Sequence, residues 1–479
     1  MRASEPPALS AVFRQLDITP DYPVSLLGYF NDRVSTGVLD PLACRLAGFA
    51  AAPGRARGAG VRRLLFVQID TCLLDDAFAF SLRRALRARE HGAWAEREVL
   101  AFASHTHTAP ALARFYEAPR QDRYASELTA RIAAAAGEVA RALALRAGSS
   151  QEERAAAVTV ELARGRADGV CFNRRWLLRN GRLLTNPPRA LRAELARPEG
   201  GVDPEVNALL FRGADGEPRA LFVSAVNHTD TVGGERISAD WTGALEREII
   251  RALGRDLPVF PLLGAQGNIN HFDPAADRDQ TCPKEAERLG RVYAEAALRA
   301  LPAAVPLAWD RRRPPLAAAV ERAALPGRRI PAAELAEARA LLAAGARGGA
   351  GEELTASELA EGSEAVRRVI ARELQRQAPA RRRLYRVPLQ VARLGGVLFC
   401  AVPGEPFVEI GLVLKAFGRA AGFALTVPLG LASGYNGYIL PGESLARGGY
   451  EALSVAGRLG GSSAAMLLDR VQRLACRCR

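Results

Sequence analysis

Short apolar runs that end in polar, chemically competent residues recur along the chain. They are Leu64 to Ile69 before Asp70, Val99 to Ala103 before Ser104-His105-Thr106-His107, Leu221 to Val226 before Asn227-His228-Thr229-Asp230, Val259 to Leu263 before Gly264-Ala265-Gln266, and Val397 to Val402 before Pro403-Gly404-Glu405. Runs of this length, rich in Val, Leu and Phe, predict buried β-strands. Pro261 weakens the prediction for the fourth run, because proline cannot donate to a sheet ladder.

Amphipathic helical patterns separate these runs. They cover Asp75 to Arg89, Glu127 to Leu145, Trp241 to Leu253, Lys284 to Leu301 and Pro406 to Phe417. Alternating strands and helices predict an α/β fold, with a mixed sheet and flanking helices. In such sheets reactive groups collect at the carboxyl ends of the strands, so we expect the active site there.

One stretch, from 331 to 377, differs from the rest. It is rich in Ala, Glu and Arg, is interrupted by Gly345 to Gly351, and contains neither histidine nor cysteine. We predict a helical hairpin inserted before the last strands, with no catalytic role. No internal sequence repeat is evident.

The net charge of +13 raises the question of a nucleic-acid partner. Lys284 and Lys415 are the only lysines, and the arginines are scattered and accompany no nucleic-acid-binding motif, so we expect no such partner. The 7 cysteines are dispersed and odd in number, which favours reduced thiols. Neither a signal peptide nor an apolar run of about 20 residues is present, so we expect a cytoplasmic protein without a transmembrane segment.

Of the 5 histidines, four lie at or just beyond predicted strand ends. His105 and His107 are two residues apart and point to the same side of an extended segment. They suit either a metal site or a hydrogen-bonded pair near a turn. His228 suits a ligand or a satisfied polar residue, and Glu405 a ligand or a carboxylate favoured by a helix N-terminus. The aromatic residues of Gly434-Tyr435-Asn436-Gly437-Tyr438 suit packing under a loop.

Taken together, these motifs resemble the catalytic domain of the neutral/alkaline ceramidases. The matching segments follow the family's order: Asp17-Ile18-Thr19-Pro20, Gly28-Tyr29, Asp40-Pro41-Leu42, Ser104-His105-Thr106-His107-Thr108-Ala109-Pro110, Asn173-Arg174, Asn227-His228-Thr229, Ser238-Ala239-Asp240, Pro403-Gly404-Glu405, Gly434-Tyr435, Tyr438, Glu443 and Tyr450-Glu451. The resemblance implies a single catalytic domain over residues 1–479.

The resemblance also implies a zinc ion held by His105, His228, Glu405 and Tyr438. His107, Arg174 and Tyr450 fall where the family has residues that polarise the substrate or support the ligands. The implied reaction is hydrolysis of a linear amide by zinc-activated water. Arg174 and Tyr450 would stabilise the oxyanion, and His107 would pass a proton to the leaving amine.

Two features depart from the family. Its Gly-Asp-Val-Ser-Pro-Asn motif appears here as Gly267-Asn268-Ile269-Asn270-His271-Phe272, so no serine nucleophile is available; for His271 we favour a polar loop residue over a supporting donor. The C-terminal β-sandwich domain of full ceramidases is expected to be absent. We therefore expect a small-molecule or lipid amide substrate, N-acyl sphingoid or otherwise. A zinc esterase or lactonase, and a catalytically silent relative that binds a lipid or partner, stay open.

Overall fold

The computed structural model describes residues 9–51, 62–146, 157–307, 315–344, 355, 359–360 and 362–479. Strands and helices alternate along the chain, which confirms the predicted α/β class. The strands do not form one mixed sheet, however. Within the described residues they form three sheets of four or five strands and several two- or three-stranded pieces.

The first large sheet and its helices come from the amino-terminal part of the chain. In chain order the elements are β1 (Leu9–Asp17), β2 (Ala43–Ala51), β3 (Arg63–Ile69), α1 (Asp76–Leu86), β4 (Val99–Ala103) and α2 (Asp122–Arg146). β1, β2 and β3 pair antiparallel, whereas β3 and β4 pair in parallel, so that α1 forms the crossover between them. Asp75 caps α1 by accepting a hydrogen bond from the Phe78 amide at 2.7 Å.

The second large sheet follows the same plan. Its elements are β5 (Val158–Arg166), β6 (Glu205–Gly213), β7 (Pro218–Ala225), α3 (Asp240–Leu253), β8 (Val259–Leu263) and α4 (Pro283–Ala300). β5, β6 and β7 pair antiparallel, and β7 and β8 pair in parallel across α3. β8 is the edge strand of this sheet, so Pro261 interrupts no ladder on its outer side and the predicted strand forms.

The third large sheet repeats the plan with two extra helices between its first strands. The elements are β9 (Leu316–Pro326), α5 (Ala332–Ala343), α6 (Glu364–Gln377), β10 (Leu384–Leu394), β11 (Val397–Ala401), α7 (Val408–Ala420), β12 (Leu425–Leu429) and α8 (Ser463–Arg477). β9, β10 and β11 pair antiparallel, and β11 and β12 pair in parallel across α7. The order strand, strand, strand, helix, strand, helix therefore occurs three times. We call these segments the first, second and third units.

The two extra helices occupy the stretch for which a helical hairpin is predicted. Ala338 of α5 and Val366, Val369 and Ile370 of α6 belong to one small apolar cluster, so the helices pack together. Gly345–Gly351 lies outside the described residues. That this stretch is an insertion stays a prediction.

A shared apolar core joins the three units. It contains residues from all three large sheets, and the third strand of each unit contributes one phenylalanine to its centre: Phe66, Phe222 and Phe399. The Phe66 ring centroid lies 5.7 Å from that of Phe222 and 4.9 Å from that of Phe399. We call these three residues the phenylalanine junction. Because β3, β7 and β11 meet there, the segments that follow them are brought to a common region.

Short elements complete the described part of the chain. The short strands are Ser25–Leu26, Arg33–Val34, Gly37–Val38, Phe172–Asn173, Arg175–Leu178, Leu183–Thr185, Leu195–Pro198, Arg236–Ile237, Ile269–Asn270, Val305–Pro306, Glu405–Pro406 and Tyr438–Ile439, and a short helix covers Gly442–Arg447. Among the helices described, none has both the length and the apolar character needed to cross a membrane.

Candidate metal centre

Three buried side chains, one from each unit, converge on a single point. His105 follows β4, His228 follows β7 and Glu405 follows β11. One ligand atom from each lies within 4.8 Å of the others. The His105 Nε2 to His228 Nε2 distance is 3.1 Å, and Glu405 Oε2 lies 3.3 Å from the first and 3.4 Å from the second. The structure therefore gathers residues that are far apart in the sequence.

The protonation of the two imidazoles follows from their other ring nitrogens. His105 Nδ1 donates to the Cys72 carbonyl at 2.7 Å, and His228 Nδ1 lies 3.1 Å from the carbonyls of both Gln266 and Ile269. A carbonyl only accepts, so in the neutral rings the Nδ1 atoms carry the hydrogens and the Nε2 atoms carry lone pairs. Carbonyl partners of this kind commonly orient metal-binding histidines.

The converging atoms are complementary to a cation. Two facing nitrogen lone pairs repel each other, and Glu405 Oε2 accepts no hydrogen bond from any residue within the described ranges. A positive charge placed among the three atoms would satisfy all of them. Two imidazole nitrogens and a carboxylate oxygen are a common ligand set for zinc. The residues present thus fit a divalent cation.

The electrostatics of the three groups agree with this arrangement. Burial by itself raises the pKa of Glu405, but His105 and His228 outweigh it and hold that pKa well below its usual value. Burial and the Arg174 guanidinium lower the pKa of His228, so its ring is neutral. Burial also lowers the pKa of His105, whereas Cys72 and Glu405 raise it, and the net shift is upward. Without a metal, a proton on His105 would supply the missing positive charge.

His105 is held in a strained backbone conformation. Its φ angle is +63°, in the left-handed region that a residue with a Cβ rarely adopts. Such a conformation costs roughly 1–3 kcal/mol and persists only where the surroundings impose it. Here the His105 amide donates to the Thr71 carbonyl at 2.8 Å, while the side chain is fixed by Cys72. In this conformation His105, two residues after β4, lies with its Nε2 3.3 Å from Glu405 Oε2.

Two tyrosines lie beside Glu405. The short strands that contain Glu405 and Tyr438 pair in parallel, so the two residues are backbone neighbours. The hydroxyl that reaches the carboxylate is that of Tyr435, which donates to Glu405 Oε1 at 2.7 Å. The Tyr438 ring lies 5.3 Å from the guanidinium carbon of Arg174. Tyr438 as the fourth ligand stays a prediction, and Tyr435 is an additional residue that orients Glu405.

Arg174 is fixed in the site by three contacts. Its Nε donates to Glu451 at 2.8 Å, its Nη2 donates to the Gly267 carbonyl at 2.8 Å, and its Nη1 lies 3.4 Å from His228 Nε2. Glu451 is fully buried and also accepts from Arg175 Nη1 at 2.6 Å. Glu451 therefore balances the charge of Arg174 and determines its position, while Arg175 is shared between Glu451 and the buried side chain of Glu199, which lies 2.5 Å from the Arg175 Nε.

His107 lies on the other side of the cluster. Its Nε2 is 3.4 Å from His105 Nε2, and burial together with His105 lowers its pKa well below the usual value. Gly28 makes room for it, since a Cβ at that position would lie 2.5 Å from His107 Cγ. His107 is thus a neutral imidazole.

Tyr450 borders both the site and an adjacent cavity. Its ring lies 5.6 Å from that of Tyr438, and its hydroxyl is hydrogen-bonded to Tyr116. Burial raises its pKa, so the hydroxyl stays protonated and can donate. The seven site residues predicted from the sequence thus lie in one continuous set of contacts.

The segment that departs from the family motif packs behind the cluster. Asn270 Nδ2 donates to Asn186 Oδ1 at 2.8 Å. His271 follows a short strand in an irregular segment, as expected for a loop residue, but it is completely buried. Its Nε2 lies 2.6 Å from the Gln280 carbonyl and its Nδ1 lies 3.4 Å from Asp230.

Arg174 and Tyr438, which lie 5.3 Å apart, each line a different cavity. One, of about 470 Å³, is lined by Arg174 and by Trp176, Asn186, Phe272 and Gln280 among others. The other, of about 710 Å³, is lined by residues that include Tyr435, Tyr438 and Tyr450. The structure therefore leaves space beside both of these site residues.

Comparison with solved structures places this arrangement in a known fold. The neutral ceramidase from Pseudomonas aeruginosa superposes with a TM-score of 0.68 at 18% sequence identity, over 99% of this chain and 75% of that chain. This chain has the fold of neutral ceramidase. A ceramidase complexed with C2 gives a TM-score of 0.66 at 17% identity, over 98% of this chain and 75% of that chain. No protein-family model matches the sequence, and no curated protein matches it either.

The ceramidase fold confirms the resemblance drawn from the motifs, at the level of the fold. The structure also shows contacts that the motifs alone could not identify. Glu451 was part of a matched motif, but its ion pairs depend on two arginines far away in the sequence. Cys72 contributes a backbone carbonyl, and no side-chain pattern indicates that contribution.

Proposed function

We propose that this chain is a zinc-dependent hydrolase of a linear amide bond, similar in activity to the ceramidases, with an N-acyl amide as substrate. The observation that carries the proposal is the convergence of His105 Nε2, His228 Nε2 and Glu405 Oε2 with unshared electron pairs directed at one point. The shared fold with neutral ceramidase supports the same activity.

The ligand set would consist of His105, His228 and Glu405, with Tyr438 as the fourth member. Imidazole nitrogen and carboxylate or phenolic oxygen suit zinc better than magnesium or calcium, which prefer oxygen alone. Zinc, when bound, supplies a Lewis acid and lowers the pKa of water towards about 7. Tyr435 would hold Glu405 through its second oxygen, at 2.7 Å.

The remaining residues would act on the substrate. Arg174 is oriented by Glu451 and presents a guanidinium edge next to His228, where it can donate to a carbonyl oxygen as negative charge develops. Tyr450 is a protonated donor at the rim of the same space. His107, which lies 3.4 Å from His105, would take up a proton and return it to the departing amine.

The position of the two cavities suits a substrate with two halves. Arg174 lines a cavity of about 470 Å³, and Tyr438, in contact with it at 5.3 Å, lines a cavity of about 710 Å³. A bond held at this contact would have its acyl half in one cavity and its amine half in the other. This supports a linear amide rather than a compact ring as substrate.

The first test is elemental analysis of the purified protein beside the variants His105→Ala and Glu405→Ala. We expect about one zinc per chain in the parent and loss of zinc in both variants. His91→Ala is the matched control, because His91 lies in a surface turn and is expected to leave the zinc content unchanged. A parent that takes up no added zinc would overturn the metal-dependent proposal and favour a binding protein.

The second test is turnover by the zinc-loaded parent. Hydrolysis of N-acyl amides that is lost in Glu405→Ala would support an amidase. Hydrolysis of the matching esters alone, with no amide cleaved at any enzyme concentration, would replace the amidase by an esterase.

A further inference from the structure

The larger cavity beside the candidate metal centre is unusually rich in arginine. Its lining includes Arg114, Arg376, Arg381, Arg382, Arg386 and Arg458, against the carboxylates Asp75, Asp76 and Glu373. The same lining contains Tyr435, Tyr438 and Tyr450, so the arginines and the site share one space. A cavity for a purely apolar half of the substrate would not need this excess of positive charge.

The three carboxylates of the lining already have partners. Glu373 forms an ion pair with Arg376, and Asp76 forms one with Arg458 at 2.5 Å. Asp75 accepts from the Phe78 amide as the cap of α1. Two of the three carboxylates are therefore balanced by an arginine of the lining, and the third is held at the N-terminus of α1.

The remaining arginines have no such partner. Arg114, Arg382 and Arg386 are exposed, and within the described ranges no carboxylate forms an ion pair with them or with Arg381. They carry positive charge into the cavity without compensation. An anion in the cavity would be attracted by all four.

Arg381 is the central member of this group. It is half-buried and donates only to neutral acceptors: the Gly457 carbonyl at 2.9 Å, the Ser454 carbonyl and the Gln377 side chain. Burial lowers its pKa, and Arg328 and Arg458 lower it further, although Tyr385 and Glu373 act in the opposite direction. Arg381 is half-buried near Arg328 and Arg458, so an anion bound beside it would stabilise its charge.

We propose that the substrate carries an anionic group, a carboxylate or a phosphate, on the half that occupies the larger cavity, and that Arg381 binds this group. The inference rests on the proposed amide-hydrolase function for its substrate class. The inference goes beyond that function because it names an acidic N-acyl amide as the substrate instead of a neutral one. Tyr450 at the site and Val455 to Arg458 beside the arginines line the same cavity, so both ends of one ligand can be held.

The test measures binding by calorimetry to the zinc-loaded protein, so it does not depend on turnover. Two matched pairs of probes place the charge on either half of the amide: N-decanoylglutamate with its diamide, and the monobenzylamide of decanedioic acid with the benzylamide of decanoic acid. We expect the anionic member of at least one pair to bind about ten-fold more tightly than its neutral partner. Raising the salt concentration should weaken only the anionic member.

Variants test whether Arg381 causes the preference for the anionic probe over the neutral one. Arg381→Gln should abolish it, and Arg381→Lys should keep part of it because the charge remains without the planar fork. Arg299→Gln, which removes an exposed arginine paired with Glu295, should leave it unchanged. Equal affinity for the anionic and the neutral probe in both pairs would overturn the inference. An equal loss of affinity for the anionic and the neutral probes in Arg381→Gln would also overturn it. Hydrolysis of the neutral amides in that case would leave the proposed function intact.

Discussion

Replacing Glu451 by glutamine tests the energetics of the site most directly. Glu451 is fully buried and accepts from Arg174 Nε at 2.8 Å, Arg175 Nη1 at 2.6 Å and Thr185 Oγ1 at 2.8 Å. A carboxamide keeps the shape but removes the negative charge and turns an amide N–H₂ towards groups that donate. Arg174 would then lose its buried ion-pair partner, whereas Arg175 would keep the one it forms with Glu199.

We expect Glu451→Gln to lower the free energy of unfolding by a large amount. Removing one partner of a buried ion pair typically destabilises a protein by about 3–5 kcal/mol. Burial by itself raises the pKa of Glu451, but Arg174 and Arg175 outweigh it and lower the pKa. Its contribution to stability is therefore present above the pKa of an unfolded carboxyl and is lost as the pH falls through the lower folded pKa. The difference in the free energy of unfolding between the parent and Glu451→Gln should accordingly become smaller at acid pH.

The assay is urea denaturation of the zinc-loaded parent and Glu451→Gln at pH 7 and at acid pH, with zinc analysis and amide turnover on the same samples. We expect zinc to be retained and turnover to fall, because Arg174 loses its orientation while the ligands do not. The control is Glu443→Gln, whose side chain is 86% exposed and lies 3.6 Å from Arg447, and which should cost less than about 0.5 kcal/mol. A cost below about 1 kcal/mol for Glu451→Gln would refute the reasoning.

Three further substitutions give independent tests. Gly28→Ala places a Cβ 2.5 Å from His107 Cγ at a residue with φ of +131°, so turnover should fall roughly 100-fold with zinc retained. Tyr435→Phe removes the hydrogen bond to Glu405 and should weaken zinc binding by about 10–100-fold in a chelator competition. Burial raises the pKa of Asp240 to about 6, so lowering the pH from 7 towards 5 should stabilise the parent more than Asp240→Asn, as measured by thermal unfolding.

Each of these variants has a matched control. Gly37→Ala adds a Cβ with no heavy atom within 4 Å, and Tyr22→Phe removes an exposed hydroxyl that donates to Glu127. Asp168→Asn removes an exposed carboxylate paired with Arg166. Unchanged zinc affinity in Tyr435→Phe, full turnover in Gly28→Ala, or the same pH dependence in Asp240→Asn as in the parent would each contradict the corresponding argument.

The sequence predicted the positions of the strand ends well, because a buried strand needs an apolar run and that run is visible locally. His105, His228 and Glu405 were found in this way, each directly after such a run. The separation of the strands into several sheets could not be predicted, since the pairing of β3 with β4 or β7 with β8 depends on contacts between distant segments.

The threefold repetition of the unit was also missed. The units share the order and pairing of their elements but not their sequences, and α5 and α6 interrupt only the third. Glu451 acts through Arg174, which is 277 residues away in the sequence, and Tyr435 acts through Glu405, which is 30 residues away. Such roles become visible only when the fold brings the partners together.

A cation held by one residue from each unit would also be a cross-link between the units. His105 and His228 are 123 residues apart in the chain, and each is positioned by a strand that is anchored in the shared core. Metal affinity and the packing of the phenylalanine junction must then be thermodynamically linked, and the linkage is reciprocal. Loosening Phe66, which is no candidate ligand, would weaken metal binding, and a chelator would loosen the association of all three units at once.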